Sequence, residues 1–268
     1  MVYDCIYTFL LLKAWLFFHY YDIFRMVILM TIEKLEKYEN IIKMIFRGII
    51  VFLIFWYSTY WQYIPIKIMH LDPKQIDQSM QVILSTFSSC ITMFILLLIY
   101  RKELKEEFKK FYKNFWDNME IGFSCWMIGF FLMIVSNILL IYVLRFGVAD
   151  NEQAVQDMIK ALPFLMLIDT GILAPFNEEI VFRKTIKDVF GKNKWVFVVL
   201  SFLLFGGAHV IIHATSWTDY LFIFPYGCLG AAFAYAYYKT DTIFTSMTLH
   251  ILHNTILTII SIISIMIS

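Results

Sequence analysis

The sequence predicts an all-α, polytopic bundle of seven to eight membrane-spanning helices, and three observations lead to this fold class. The first is composition: 60% of the 268 residues are hydrophobic and 16% are charged, whereas soluble domains are about 45–50% apolar and about 25% charged. The second is a series of long apolar segments, and the third is an alternation of charge between the loops that join them. The net charge of +1 gives no basis for nucleic-acid binding.

Residues 1–43 form an N-terminal segment of their own in this prediction. Residues 5–30 are apolar except for four polar positions: Lys13, His19, Asp22 and Arg25. A cleaved signal peptide is not expected, because residues 1–4 carry no positive charge and no small-residue cleavage site follows. Three alternatives remain for this segment. It is an extra span, an interfacial helix, or upstream sequence that is not translated, with initiation at Met26 or Met30.

Seven further segments are apolar over roughly the 20 helical residues that cross about 30 Å of hydrocarbon. Backbone polar groups cannot stay unpaired in lipid, so we predict helices rather than loops or open strands. The segments are residues 44–64, 80–100, 121–144, 161–182 (or 161–190 if the helix continues), 195–212, 220–238 and 243–267. The first three belong to an N-terminal group of helices, residues 44–160, and the last four form the core, residues 161–268.

The loops between these segments alternate in charge. Lysine and arginine gather before the first segment and after the second, fourth and sixth segments. Three intervening loops are poor in them: residues 65–79, 145–160 and 213–219. Basic loops stay in the cytoplasm under the positive-inside rule. The sequence therefore predicts a multi-pass protein of the cell membrane with its basic loops cytoplasmic.

Small residues recur four positions apart in the sixth segment, as in the pairs Gly227/Ala231 and Gly230/Ala234. Such pairs allow neighbouring helices to approach closely. The fifth segment carries Gly206 and Gly207 just before His209, which permits a close backbone approach or a kink. We expect tight helix packing in this part of the core.

Three polar clusters interrupt the apolar segments of the core. They are Glu178-Glu179 with Arg183, Phe205 with His209, and His250 with Asn254. Ionisable side chains at membrane depth are costly and usually face an interior cavity, so by default they mark function. Each cluster alone also has a structural explanation, such as an ion pair or an interhelical hydrogen bond. The occurrence of all three on separate helices of one chain favours a shared active site.

The first cluster supplies two carboxylates with different surroundings. Arg183 lies four residues after Glu179, on the same helix face, and a single ion pair leaves the second carboxylate unexplained. We therefore expect Arg183 to neutralise Glu179, while Glu178 acts on a water molecule as a general base. His250 and Asn254 share a helix face, and both side chains can donate hydrogen bonds to an oxyanion.

Depth along the helices gives a further prediction about the fourth segment. If its helix ended at Arg183, Glu178 would lie only about 8 Å from that end, whereas His209 would lie about 21 Å into the next helix. A helix that continues to Phe190 places Glu178 about 18 Å from the end. We therefore expect the longer helix and a site some way in from the cytoplasmic face.

In their order and spacing these residues resemble the CPBP family, the Abi or CAAX prenyl protease and bacteriocin-processing group of intramembrane endopeptidases. The family pattern is Glu-Glu-x-x-x-Arg, Phe-x-x-x-His and His-x-x-x-Asn. Here it reads Glu178-Glu179-Ile-Val-Phe-Arg183, Phe205-Gly-Gly-Ala-His209 and His250-Ile-Leu-His-Asn254. The match covers roughly residues 162–258.

The resemblance implies proteolysis without a covalent intermediate. Glu178 with His209 would activate a water molecule, and His250 with Asn254 would hold the oxyanion. Three residues would support the site: Glu179, Arg183 and Phe205. The substrate would be a peptide or a membrane protein in contact with the lipid bilayer, cleaved in peptide maturation, bacteriocin self-immunity or signalling.

The resemblance leaves the cofactor open, because the family has been described both as metalloproteases and as glutamate-type enzymes without a tightly bound metal. A divalent metal such as zinc would have Glu178, His209 and His250 as ligands and water in the fourth position. The motif His-Glu-x-x-His is absent, and His209-x-x-x-His213 lacks its inner glutamate. No metal is required under the glutamate mechanism. His213 and His253 lie outside the family pattern and are expected to be structural or interfacial.

Two other function classes compete with a peptidase. The main alternative is a non-enzymatic membrane immunity or partner protein, which keeps the fold and binds a sensor, transporter or toxin. A proton-coupled transporter is weaker, because the sequence shows no repeat halves or pairs of broken helices. Asp169, a charge within the fourth segment, has no role in any of these hypotheses.

Overall fold

The computed structural model describes residues 35–146, 150–212 and 214–267, together with Arg25 and Glu33, and gives only the backbone for residues 150–153. The alternatives for residues 5–30 and the interpretation of His213 fall outside these ranges. The chain divides between Phe46 and Arg47 into two units, Met1–Phe46 and Arg47–Ser268. All three polar clusters belong to the second unit.

Helices make up the regular structure of the described residues, and none of these residues lies in a strand. Helix α1 spans Leu35–Trp56, and a short helical segment, Ser58–Ile68, follows it at an angle of 52°. The remaining helices are α2 (Gln78–Lys113), α3 (Phe115–Val143), α4 (Asp150–Ala161), α5 (residues 163–190), α6 (Lys194–Val210), α7 (Ile223–Thr240) and α8 (Ile243–Ile267). The predicted all-α fold is confirmed.

Four helices in the described part of the chain are long and apolar enough to cross a membrane: α2, α3, Asp219–Thr240 (which contains α7) and α8. The bent pair of α1 and Ser58–Ile68 makes a fifth if it counts as one span. Large apolar side chains cover their outer faces, and Ile128 and Phe131 are each 64% exposed. The chain is therefore a multi-pass membrane protein, while the count of seven to eight spans stays a prediction.

The apolar segment over residues 44–64 is helical but not straight, because α1 ends at Trp56 and the next helical segment turns by 52°. Polar side chains account for the bend. The Ser88 hydroxyl of α2 donates a hydrogen bond to the Ser58 carbonyl, and the Gln81 amide donates one to Gln62 at 3.2 Å. These bonds hold the short segment Ser58–Gln62 as a tighter 3₁₀ helix against α2.

Residues 145–160, taken as a loop in the sequence analysis, include most of α4. The helix forms here because it has an apolar side to bury. Ile159 is 2% exposed and lies in one cluster with Val82 of α2 and Met166 of α5. A short amphipathic helix of this kind is stabilised by tertiary packing rather than by its own length.

Helix α5 begins with Pro163 and runs on to Phe190, as the depth argument predicts. Its helical geometry changes twice, in π-helical turns at Asp169–Leu173 and Ile180–Lys184. Turns of this type widen the helix by one residue and occur often at functional sites. The two turns enclose the segment Ala174–Glu179, which carries both glutamates of the first cluster.

Small residues bring α6, α7 and α3 into close contact, as the sequence predicts. A Cβ atom added to Gly206 of α6 would lie 2.5 Å from the Ile223 carbonyl oxygen, next to the start of α7. One added to Gly129 of α3 would overlap the Ala232 methyl group of α7 and lie 3.2 Å from the Cys228 carbonyl oxygen. Neither position has room for a larger side chain.

We predict that Gly129→Val destabilises the protein by about 1–3 kcal/mol, because α3 must move away from the α7 backbone. The measurement is thermal unfolding of the purified protein in detergent. Gly207→Ala is the matched control, since the added methyl group meets only the flexible end of Ile211, at 3.1 Å. Equal melting temperatures for the two variants would contradict the packing described here.

A buried carboxylate fixes the start of α8. Glu107 of α2 is 9% exposed and accepts hydrogen bonds from the Tyr237 hydroxyl, at 2.9 Å, and from the backbone N–H of Ile243, at 2.7 Å. A negative charge is favourable at a helix N-terminus, where the backbone N–H groups lack partners inside the helix. The contact sets the position of α8 about two turns before His250.

Candidate active site

The two adjacent glutamates of α5 point to different surroundings. The Glu178 side chain is 14% exposed and lines an internal cavity. The Glu179 side chain is 0% exposed and faces α8. Consecutive helical residues point about 100° apart, so one carboxylate reaches the cavity while the other is enclosed by protein.

The Glu179 carboxylate is held by three partners. It accepts hydrogen bonds from the Ser246 hydroxyl at 2.7 Å and from His250 Nδ1 at 2.9 Å, both on α8. Arg183 Nη1 lies 3.3 Å from it, one turn along α5. The sequence analysis missed Ser246, although its position one turn before His250 offers a signal, since residues four apart share a helix face.

Arg183 is completely buried, with 0% of its side chain exposed. Its guanidinium carbon lies 4.1 Å from the centre of the Phe205 ring and 5.6 Å from that of Phe233. Aromatic faces attract cations, most strongly where water is excluded. Glu179 and the two rings therefore stabilise the buried charge together.

Glu178 faces both histidines of the site. Its Oε1 lies 3.9 Å from His209 Nε2, and its Oε2 lies 3.6 Å from His250 Nε2. Both distances exceed that of a direct hydrogen bond. The structure thus brings together one residue from each polar cluster, from α5, α6 and α8.

The backbone one turn earlier in α6 fixes the orientation of the His209 ring. Its Nδ1 lies 2.9 Å from the Phe205 carbonyl oxygen, which can only accept, so Nδ1 carries the proton of this bond. In the neutral ring the lone pair then lies on Nε2, the atom nearest Glu178. The ring packs between Phe205, with centroids 4.4 Å apart, and Tyr226 of α7, at 4.7 Å.

The His250 ring is fixed by Glu179 and by Phe233, on which it stacks with centroids 4.9 Å apart. Because the Glu179 carboxylate accepts, His250 Nδ1 carries the proton of that bond. Asn254, one turn further along α8, donates a hydrogen bond from Nδ2 to the Thr170 carbonyl oxygen at 3.1 Å. This bond joins α8 to the first π-helical turn of α5.

A cavity of about 700 Å³ connects these groups. Its lining includes all four predicted catalytic residues, Glu178, His209, His250 and Asn254, together with the supporting residue Phe205. The other two supporting residues, Glu179 and Arg183, lie behind this lining and are completely buried. The rest of the wall is largely apolar, with side chains such as Met133, Ile141, Phe182 and Leu257.

Two residues outside the family pattern, Asp169 and His253, also accept hydrogen bonds from neighbouring helices. Asp169 is 6% exposed and accepts a hydrogen bond of 3.4 Å from the Ser85 hydroxyl of α2. It is not among the residues that line the cavity. His253 is 4% exposed and accepts a hydrogen bond of 3.3 Å from the Trp126 indole.

The predicted ligands of a metal ion are Glu178, His209 and His250. Within residues 35–146, 150–212 and 214–267, no group of three or more His, Cys, Asp or Glu side chains is arranged to hold a metal ion. Glu178, His209 and His250 approach one another, but this geometry does not fit such a site. The chemistry proposed below therefore uses the side chains alone.

Comparisons with known proteins agree on one family. A family model described as "Type II CAAX prenyl endopeptidase Rce1-like" matches residues 160–256. The "Putative membrane peptidase YdiL" of Bacillus subtilis (strain 168) is 32% identical over 183 residues, which cover 65% of this chain and 68% of that protein. The "UPF0177 protein YaiF" of Lactococcus lactis subsp. lactis (strain IL1403) is 30% identical over 165 residues, covering 59% and 66%. No solved structure matches the chain.

Proposed function

Because the chain belongs to the CPBP family of Rce1-like membrane peptidases, we propose that it is an intramembrane endopeptidase in which Glu178 and His209 activate a water molecule. One observation carries the proposal. The Glu178 carboxylate faces Nε2 of both His209 and His250, at 3.9 and 3.6 Å, in a cavity of about 700 Å³. A cavity of this volume has room for a peptide segment beside these three side chains.

In the first step, a water molecule binds between Glu178 and His209. A separation of 3.9 Å suits one water that forms hydrogen bonds of about 2.8 Å to both atoms. Glu178 takes one proton from this water as the general base, while the His209 Nε2 lone pair accepts the other O–H and orients it. The water oxygen then forms a bond to the carbonyl carbon of the peptide, which gives a tetrahedral oxyanion.

His250 and Asn254 supply donors for that oxyanion. His250 donates its Nδ1–H to Glu179. It can donate from Nε2 at the same time only when the ring is protonated, because only then do both nitrogens carry a hydrogen. The Glu179 carboxylate, 2.9 Å away, accepts the Nδ1–H of this ring. Two carboxylates, Arg183 and a protonated His250 then sum to zero charge, which suits a buried site. The second amide N–H of Asn254 completes the oxyanion hole.

In the last step, the tetrahedral intermediate breaks down. The carbon–nitrogen bond breaks, the oxyanion returns to a carbonyl, and Glu178 gives the proton that it took from water to the departing amine. The products are a new carboxylic acid, which loses its remaining proton to solvent, and a new amine, and Glu178 is again ionised. No covalent bond between protein and substrate forms in these steps.

The cavity favours an apolar peptide or a membrane-protein segment as the substrate. Its lining is largely apolar, and such walls stabilise apolar side chains by removing them from water or lipid. We propose that the site opens towards the cytoplasmic side, where the positive-inside rule places the basic loops. Peptide maturation, bacteriocin self-immunity and signalling are the physiological roles that we propose for such an activity.

Quantitative peptidomics of cells that carry the wild type or Glu178→Gln at matched abundance tests the proposed function. We expect a small set of apolar peptides to accumulate uncleaved in the variant, and their products to appear only with the wild type. Identical peptide profiles would contradict the peptidase. If the variant also kept the cellular phenotype, the alternative of a non-enzymatic immunity or partner protein would be favoured.

We predict that Asn254→Leu lowers kcat on the order of 10²-fold, the usual effect of removing one oxyanion donor, and changes KM little. Leucine keeps the approximate volume of the side chain but cannot donate a hydrogen bond. Leu252→Ala is the control, because Leu252 lies on the outer side of the same helix and is 42% exposed. An Asn254→Leu variant with wild-type kcat would remove Asn254 from the oxyanion hole.

A further inference from the structure

Among the described residues of the cavity lining, His253 is the histidine that has no part in the chemistry above. It lies on α8, three residues after His250, and it lines the cavity although it is 4% exposed. Its Nδ1 is 3.3 Å from the Trp126 indole nitrogen of α3. The Phe130 ring packs edge-on against it, with centroids 5.5 Å apart.

The bond to Trp126 determines which nitrogen of His253 carries the proton. An indole N–H can only donate, so His253 Nδ1 must accept and cannot be protonated. A protonated ring, in which both nitrogens donate, is therefore incompatible with this contact. The neutral ring carries its proton on Nε2. Trp126 thus fixes His253 as a neutral ring with an Nε2–H donor.

This donor has no acceptor within the part of the chain that the structure describes. His253 makes one hydrogen bond there, the one at Nδ1, and its Nε2 is not among the enclosed polar atoms that lack a partner. A buried donor without an acceptor costs free energy of about 1–3 kcal/mol. The ring nitrogen therefore reaches the cavity and is available to a group that binds in it.

The charge of the cavity wall limits what this group can be. Among the described residues that line the cavity, the ionisable ones are Glu178, Tyr226 and three histidines, and no lysine or arginine is present. A carboxylate would find no lysine or arginine in the wall, and it would be repelled by Glu178. A neutral carbonyl oxygen is the acceptor that suits a neutral imidazole N–H.

We propose that His253 donates its Nε2–H to a backbone carbonyl of the bound peptide, next to the bond that is cleaved. His253 follows His250 by three residues, which is a rise of about 4.5 Å along the axis of α8. An extended peptide advances by a similar length, about 3.3 Å per residue. The carbonyl bound by His253 therefore belongs to a residue adjacent to the scissile bond. This inference rests on the proposed function and makes the substrate an extended, uncharged internal segment.

The test measures peptide binding in a background that cannot cleave. The probe is a fluorescein-labelled octapeptide of leucine and alanine with an amidated C-terminus, bound to the Glu178→Gln protein in lipid nanodiscs and followed by fluorescence anisotropy. Adding His253→Phe is expected to raise Kd about tenfold, as for the loss of one buried hydrogen bond. Adding His253→Gln, whose amide nitrogen takes the place of Nε2, is expected to keep Kd within about threefold.

The pair of Trp126 and His253 provides the control for a purely structural role. The single variant His253→Phe leaves the Trp126 indole N–H without an acceptor, which can destabilise the fold. The double variant Trp126→Phe/His253→Phe removes this N–H as well, while the Nε2–H donor to the peptide is still missing. We expect this variant to bind the peptide as weakly as His253→Phe alone. Recovery of the parent affinity, or an unchanged Kd for His253→Phe, would overturn the proposal. Because the assay involves no cleavage, its outcome is separate from that of the peptidomics.

Discussion

Replacing Glu178 with glutamine is expected to abolish peptide cleavage while the protein remains inserted and folded. The amide keeps the shape of the side chain but cannot take a proton from water. General-base catalysis contributes roughly 10²–10⁴-fold, so kcat should fall by at least this factor. KM should change little, because the cavity keeps its volume. The measurement is cleavage of the peptides identified by peptidomics, with purified protein in lipid nanodiscs.

Glu106→Gln is the matched control for this experiment. Glu106 lies on α2, its side chain is 66% exposed, and its partner Lys109 is exposed as well. The same chemical change there should leave kcat unaltered. A Glu178→Gln variant that retains a kcat within a few-fold of the wild type would show that another group activates the water.

The second large effect is expected at the buried pair of Glu179 and Arg183. Either Glu179→Gln or Arg183→Met leaves one charge completely buried without its partner, which costs roughly 3–5 kcal/mol of folding free energy. The double variant Glu179→Gln/Arg183→Met removes both charges at once. We expect it to recover most of the stability that each single change loses.

Activity should not return with stability in the double variant. Glu179 also accepts the hydrogen bond from His250 Nδ1. A neutral amide accepts this bond more weakly than a carboxylate, so the His250 ring is held less firmly in the position that the oxyanion needs. Unfolding in detergent with denaturant measures the stabilities, and peptide cleavage measures the activity. Strictly additive losses of stability would contradict the buried pair. Lys109→Met, in an exposed ion pair, should change stability by less than about 1 kcal/mol.

The positions of α5, α6 and α8 could be predicted because apolar length and polar spacing are local properties. The bounds of α8 in the structure, Ile243–Ile267, are those that the hydropathy predicts. The extension of α5 to Phe190 followed from comparing depths along neighbouring helices. The three polar clusters lie in three different apolar segments, so Glu178, His209 and His250 could likewise be assigned to three helices of one core.

The contacts between helices could not be predicted, since they depend on how each helix is rotated about its axis. Arg183 pairs with Glu179 as the spacing predicts, but the shorter contacts of this carboxylate come from Ser246 and His250, which the spacing within α5 does not indicate. Tyr226 stacks on His209, but it is one of 16 tyrosines and no spacing marks it. His253 was expected to be structural or interfacial, and its bond to Trp126 connects helices more than a hundred residues apart.

The bend at Tyr57 and helix α4 could not be predicted from hydropathy, for a different reason in each case. Hydropathy treats residues 44–64 as one apolar run, but a few hydroxyl and amide groups bond to α2 and change the direction of the chain. Helix α4 is too polar to be recognised as a membrane segment, and its apolar side becomes apparent only when Ile159 packs against Val82 and Met166.

A single-turnover cleavage experiment in water labelled with heavy oxygen, with hydroxylamine present, tests the central claim most directly. If Glu178 and His209 direct a water molecule onto the peptide carbonyl, every new carboxylate carries one labelled oxygen and no hydroxamate forms, because hydroxylamine finds no acyl-protein intermediate to intercept. Mass spectrometry of the product measures both the labelled oxygen and any hydroxamate. A hydroxamate product, or an acyl group attached to the protein, would contradict direct attack by water.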